Sequence, residues 1–277
     1  MAYLDGIQAA NDNLLAVAKV GAMAALRAPL LAKTKIKIEI LTGEDLSPLA
    51  EILAIAGEGS AFVYGDAVNA KKAFEAGTSV VELLIGCDAT VSDLAWNCGA
   101  CGFDSCAEFN HFSREHRGPG NFFVGPSCNW KLFDHGMAMS YASAAISGMN
   151  VECRQQASYG FAALACGYME GCNMCIGISL GPCGDSIWYD RVFLEHSFDM
   201  AEHFQYLENT LPQLFVGFCG GGHPLAKVGF GPNWAAKPKF WKATEDPEFL
   251  AKQQDISARV GQIIARERAK RAAKKKT

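Results

Sequence analysis

The run Asn97-Cys98-Gly99-Ala100-Cys101-Gly102-Phe103-Asp104-Ser105-Cys106 constrains this chain more than any other stretch. It sets three thiols at C-x2-C-x4-C spacing with a glycine after each of the first two, and Cys128 follows in Gly125-Pro126-Ser127-Cys128. A cubane iron–sulfur cluster takes four thiolates, one for each iron. Glycine adopts positive φ cheaply, so a glycine-rich backbone can curl round such a cluster and aim N–H groups at its sulfurs. Zinc is the rival for four cysteines, but it usually takes two C-x2-C pairs at separated points. A redox C-x-x-C pair leaves Cys106 and Cys128 unexplained. Four buried small apolar thiols are the plain alternative. Ligand preferences favour iron–sulfur over each of these.

The 277 residues are 50% hydrophobic, enough for one large domain or two small ones. The formal net charge of −4 supplies no basic field, so no nucleic-acid partner is expected. Met1-Ala2-Tyr3-Leu4-Asp5 lacks the basic and apolar regions of a secretory leader, and no apolar run reaches membrane-spanning length. The expected compartment is therefore a reducing cytoplasm. There, eleven cysteines read as metal sites or catalysis rather than disulfides.

Periodicity predicts a helix over 5–26 ending at Arg27-Ala28-Pro29, because proline disfavours helical geometry in the residue before it. Ile36, Ile38 and Ile40 alternate with Lys35, Lys37 and Glu39, which predicts a half-buried strand over 35–41. Further on the pattern predicts a helix over 46–56, a strand over 60–64, a helix over 67–75 and a buried strand over 79–85, in βαβαβ style. Residues 131–148 and 151–169 read as two largely apolar helices, fit for the core or for a homo-oligomer interface. Strands are expected over 174–180 and 186–189. Beyond Arg191 the composition changes. A helix over 198–208, a strand over 214–218 and the loop Gly220-Gly221-Gly222-His223-Pro224 precede a final helix from about residue 245, which ends in a basic run over 266–276. The predicted organisation is a core over 1–191 with a cluster loop over 97–128, then a C-terminal extension over 192–277 that ends in a basic helix.

Several motifs together resemble the uncharacterised prokaryotic family of ferredoxin-domain-containing proteins. They are Arg27-Ala28-Pro29, Leu41-Thr42-Gly43-Glu44-Asp45-Leu46, the Asn97–Cys106 run, Asp134-His135-Gly136-Met137-Ala138, and Gly177-Ile178-Ser179-Leu180 with Trp188-Tyr189-Asp190-Arg191. The cysteine run is also similar to the cluster modules of the Rnf complex B subunit and of corrinoid iron–sulfur proteins. That resemblance implies a [4Fe–4S] cluster on Cys98, Cys101, Cys106 and Cys128, although the spacer before Cys128 is longer than in those modules. Arg27-Ala28-Pro29 and the Asp134–Ala138 helix also resemble parts of nitroreductase-like flavoproteins. This implies an α+β fold, a mixed β-sheet with flanking helices, a dimer and possible FMN binding.

Cys166, Cys172, Cys175 and Cys183 form a second set that four-thiol chemistry could use for a metal, against the plain reading of buried thiols. Cys87, Cys153 and Cys219 read as packing residues. His111 and His116 are alternative ligands within the spacer, or solvated loop histidines. The basic tail from Arg266 reads as a solvated, frayed helix end, with an acidic partner or nucleic acid as the alternative. The expected function is electron transfer to or from a redox protein partner. A cluster-fed or flavin-dependent oxidoreductase, and a structural or assembly subunit, are the alternatives.

Overall fold

The computed structural model describes residues 4–75, 80–119, 123–189 and 247–274. The elements expected over 198–208 and 214–218, the glycine loop with His223, and Cys219 lie outside them. The chain opens with α1 (Gly6–Asp12) and α2 (Leu14–Leu26). The single helix expected here is divided at Asn13, whose side-chain amide donates to the Ala9 carbonyl at 2.6 Å and so competes with the helical ladder. Next come β1 (Ile36–Thr42), a 3-10 turn (Gly43–Leu46), α3 (Ser47–Gly57), α4 (Ala61–Glu75) and β2 (Val81–Cys87). Then follow α5 (Cys106–His116), the two-residue strands β3 (Gly118–Pro119) and β4 (Val124–Gly125), α6 (Asn129–Ser147), β5 (Cys153–Gln156), α7 (Ala157–Ala165) and β6 (Met174–Leu180). Pro247–Lys274 forms a long helix, α8.

The class is α+β, but the sheet is antiparallel throughout rather than mixed. Its order is β1-β2-β6-β5, with Leu83 opposite Ile40 on one side and Ile178 on the other. The strand expected over 60–64 is the start of α4, and this one difference explains the other. A single helix between two strands makes them parallel, whereas the α3–α4 pair adds a second reversal and returns β2 antiparallel to β1. Phe62-Val63-Tyr64 favours a strand locally. Tertiary packing prevails, because Val63, Ala67, Ala70 and Ala73 bury one helical face against the core beside α3.

The helix expected over 151–169 is also corrected, to strand β5 followed by α7. Cys153-Arg154-Gln155-Gln156 is too polar for a buried helix and suits a sheet edge. The strand expected over 186–189 is absent, and Trp188 is instead buried against Tyr159 with its indole N–H donating to the Gly181 carbonyl.

Helices cover both sheet faces. Val81, Leu83 and Ile85 meet α2 and α6, while Leu84 meets the side carrying α3, α4, α7 and α8. All seven residues of β2 are buried, which is why it reads as an apolar run apart from Glu82. Each fully buried Leu or Ile in these layers contributes roughly 1.5–3 kcal/mol. The C-terminal helix docks through Ile256 and Ile263, and its basic end over 266–274 is mostly exposed, as the tail's composition predicts. No described helix is long and apolar enough to cross a membrane.

The acid Glu82 lies within the sheet. Glu82 accepts the Ser179 hydroxyl at 2.6 Å, and Ser179 accepts the Gln156 amide at 2.7 Å. The second Glu82 oxygen has no partner and occupies the space that a Cβ on Gly177 would need, 1.9 Å away. Burial pushes the carboxyl from 4.5 up to about 8. Below 4.5 both the folded and the unfolded chain hold this proton. Between 4.5 and about 8 only the folded chain does, so stability falls as pH rises through that window. Denaturant melts should therefore show lower stability at about pH 9 than at about pH 6, with the slope flattened in Glu82→Gln. An unchanged slope in the variant would assign the pH dependence elsewhere.

Candidate metal centre

Strand β2 leads directly to the cysteine run. Residues 88–105 form neither helix nor strand, so side chains fix their path. Asp88 accepts the Thr90 N–H (2.9 Å) and hydroxyl (2.6 Å). The Asn110 side chain on α5 both accepts from and donates to the Ser92 backbone, each at 2.7 Å, and the Ser113 hydroxyl donates to the Thr90 carbonyl at 2.7 Å. The loop is thereby fastened along α5.

Its coil needs unusual backbone angles. Gly99 (φ 72°) and Gly102 (φ 86°) lie in the left-handed region, and nothing stands within 4 Å of a Cβ at either, so conformation rather than space calls for glycine. Asn97 (φ 49°) takes the same conformation, and its side-chain oxygen accepts the Cys106 N–H at 2.9 Å. Ser105 caps α5 by accepting the Glu108 N–H at 3.1 Å. Cys106 is therefore the first residue of α5, and Cys128 immediately precedes α6. Both helices present positive N-terminal ends to the site. The Asn129 amide donates to the Ala100 carbonyl and closes the loop over α6.

Cys98, Cys101, Cys106 and Cys128 line one narrow recess. Trp96 and Trp130 also line it, edge to face at 5.6 Å. Cys98 is exposed and Cys128 buried, so the recess runs inward from the surface. The Cys106 thiol is held below its ordinary range, first by the nearby Ser92 hydroxyl and then by backbone N–H groups of Asn97, Trp96 and Ala95. The Ser92 hydroxyl itself is buried without a full hydrogen bond. Among the described residues, no three His, Cys, Asp or Glu converge as ligands of a single metal ion.

Asn173 braces the Cys128 corner and carried no sequence signal. It is buried, accepts the Ala89 N–H at 2.7 Å, and donates to the Val124 carbonyl at 2.6 Å and the Ser127 hydroxyl at 2.9 Å. Ala89 in turn accepts the Cys128 N–H at 2.7 Å. One amide therefore ties the end of β2 to the Cys128 segment.

The other candidate residues lie elsewhere. His111 pairs with Glu115 at 3.2 Å, and His116 stacks on Phe112 at 4.2 Å; neither lines the recess. Cys166, Cys172 and Cys175 pack on the α7 side of the sheet, whereas Cys183 packs on the opposite side beside α2 and α6. The second four-cysteine set is thus not gathered. Burial pushes Cys166 and Cys172 up to about 11, so both remain thiols at neutral pH. Asp134 and His135 are structural. Asp134 accepts the Leu31 (2.8 Å) and Thr34 (3.1 Å) N–H groups, and His135 Nε2 bonds the Ile85 carbonyl at 2.9 Å. Burial lowers the His135 pKa and favours the neutral ring. Arg27 is an exposed C-cap of α2.

Replacing Asn173 by Ala strands the buried Ala89 N–H and should cost about 1–3 kcal/mol. A denaturant midpoint equal to that of the unsubstituted chain would show that the brace is idle.

A family model for uncharacterized proteins containing a ferredoxin domain matches residues 124–191, a span that includes Cys128 but not the other three recess cysteines. An uncharacterized protein of Archaeoglobus fulgidus is 31% identical over 187 residues, which cover 65% of this chain and 93% of the relative. No solved structure matches the chain. The archaeal relative is matched over nearly its whole length, and the chain belongs to the family of uncharacterized proteins containing a ferredoxin domain.

Proposed function

We propose that the chain holds a [4Fe–4S] cluster on Cys98, Cys101, Cys106 and Cys128 and passes electrons to or from a protein partner. The observation that carries this reading is one recess lined by those four cysteines and by no other described cysteine. The ferredoxin domain that describes the family implies an iron–sulfur cluster. The donor set fits that group: four sulfurs, a lowered thiol at Cys106, and two helix N-termini favouring negative charge. Each thiolate in a cubane binds its own iron, so the four stand further apart than ligands to one zinc. When bound, such a cluster supplies one-electron transfer, and four protein thiolates leave no iron open to substrate.

The surroundings suit exchange with a partner. Cys98 lies at the surface, and Trp96, Phe112 and Phe133 expose large apolar area near the recess. Such aromatic surface excludes water when covered. The outer side of α6, where Phe133 and Tyr141 are exposed, is the surface a second copy would cover in a homo-oligomer. The ten described cysteines are all free, which suits a reducing cytoplasm.

Anaerobic purification tests the cluster. About four irons and four sulfides per chain are expected. Cys128→Ser should lose the cluster or convert it to a three-iron form by electron paramagnetic resonance, while Cys183→Ser keeps it. Stoichiometric zinc without sulfide would overturn the proposal.

A further inference from the structure

Four arginines lie on α8, and they are of two kinds. Arg259 forks onto Glu58 at 2.6 and 2.7 Å, and Arg266 binds Glu51 at 2.6 Å and Glu267 at 2.8 Å. Through Glu58 and Glu51 these two fasten α8 to α3 and its C-terminal end. Arg268 and Arg271 have no carboxylate partner among the described residues. The Arg268 Nε donates to the Ala165 carbonyl at 2.7 Å. The Arg271 guanidinium lies over the Tyr168 ring, 3.6 Å from its centroid, and its Nε is shielded from solvent with no acceptor. The Tyr168 hydroxyl is tied to Asp45 at 3.2 Å, so the ring is a fixed platform.

Arg268 and Arg271 both line one open cavity of about 370 Å³ between the end of α8 and the turn that follows α7. Leu164 and Met169 supply apolar wall, and Glu170 is the acidic residue of the lining, which leaves it net positive. Gly167 (φ 83°) and Gly171 (φ 85°) bend the turn around the space. The size and the mixture of apolar wall with a few polar groups are those of small-molecule sites.

We propose that this cavity binds a small organic molecule through a phosphate group held by Arg268 and Arg271. Guanidinium forks match phosphate and carboxylate oxygens alike. One fork satisfies the two oxygens of a carboxylate, whereas the three oxygens of a phosphate ester can serve two arginines. The site does not depend on the cluster assignment.

Calorimetry on the full chain with phenyl phosphate and with benzoate separates the two head groups on one apolar body. Phenyl phosphate should bind more tightly than benzoate. Its affinity should fall about tenfold or more in Arg268→Gln/Arg271→Gln and stay unchanged in Arg259→Gln. Phenyl phosphate should also raise the melting temperature of the unsubstituted chain by mass action, a readout that needs no variant. No heat and no thermal shift, equal affinity in the double variant, or benzoate binding as tightly would each overturn the proposal. Binding heat is separate from iron content, so this result and the cluster result can fail independently.

Discussion

Strand β2 is buried on both faces along its whole length, and the remaining elements take their places from it. A central strand of this kind needs apolar cover on two sides, which α2 with α6 and the α3–α4–α7 group provide. The cover is held in register by polar contacts as well as by area. His135 bonds the Ile85 carbonyl, and Asp134 gathers the chain after α2, so α6 is fixed against β2 at the end from which Cys128 projects. Two parts of the recess, far apart in sequence, are thereby built from one strand and the helix pinned to it.

The asparagines play a common part around the recess. Asn97, Asn110, Asn129 and Asn173 each bond backbone, and Asn110 and Asn173 donate and accept at once. An amide side chain offers both functions without charge. It can therefore replace a missing helix or strand partner without placing a fixed charge beside sulfur.

Much of this was legible in the sequence. The isoleucine alternation gave β1, the apolar runs gave β2 and β6, and the cysteine spacing pointed to the four residues that line the recess. Where local preference and packing disagreed, packing decided: Phe62-Val63-Tyr64 lies in a helix because its neighbours bury a helical stripe. That one segment also decides whether β1 and β2 run parallel or antiparallel. Asn173 was illegible because an asparagine between Cys172 and Met174 has no periodicity or spacing to mark it; its role appears only when β4 and β6 are brought together. The two kinds of arginine on α8 were hidden for the same reason, since a basic run does not say which of its charges find partners.

The loop that carries Cys98 and Cys101 adds almost nothing to either apolar core. Residues 95–100 are exposed or half-exposed, and side-chain hydrogen bonds hold the path through 88–105. Segments with little buried area open at a small fraction of the global unfolding free energy. The sheet and its helices can thus reach their final packing while this loop still exchanges its amide protons with solvent. Closure of the recess is then a late event on a finished scaffold, and anything that enters it would meet a folded protein with one open flap.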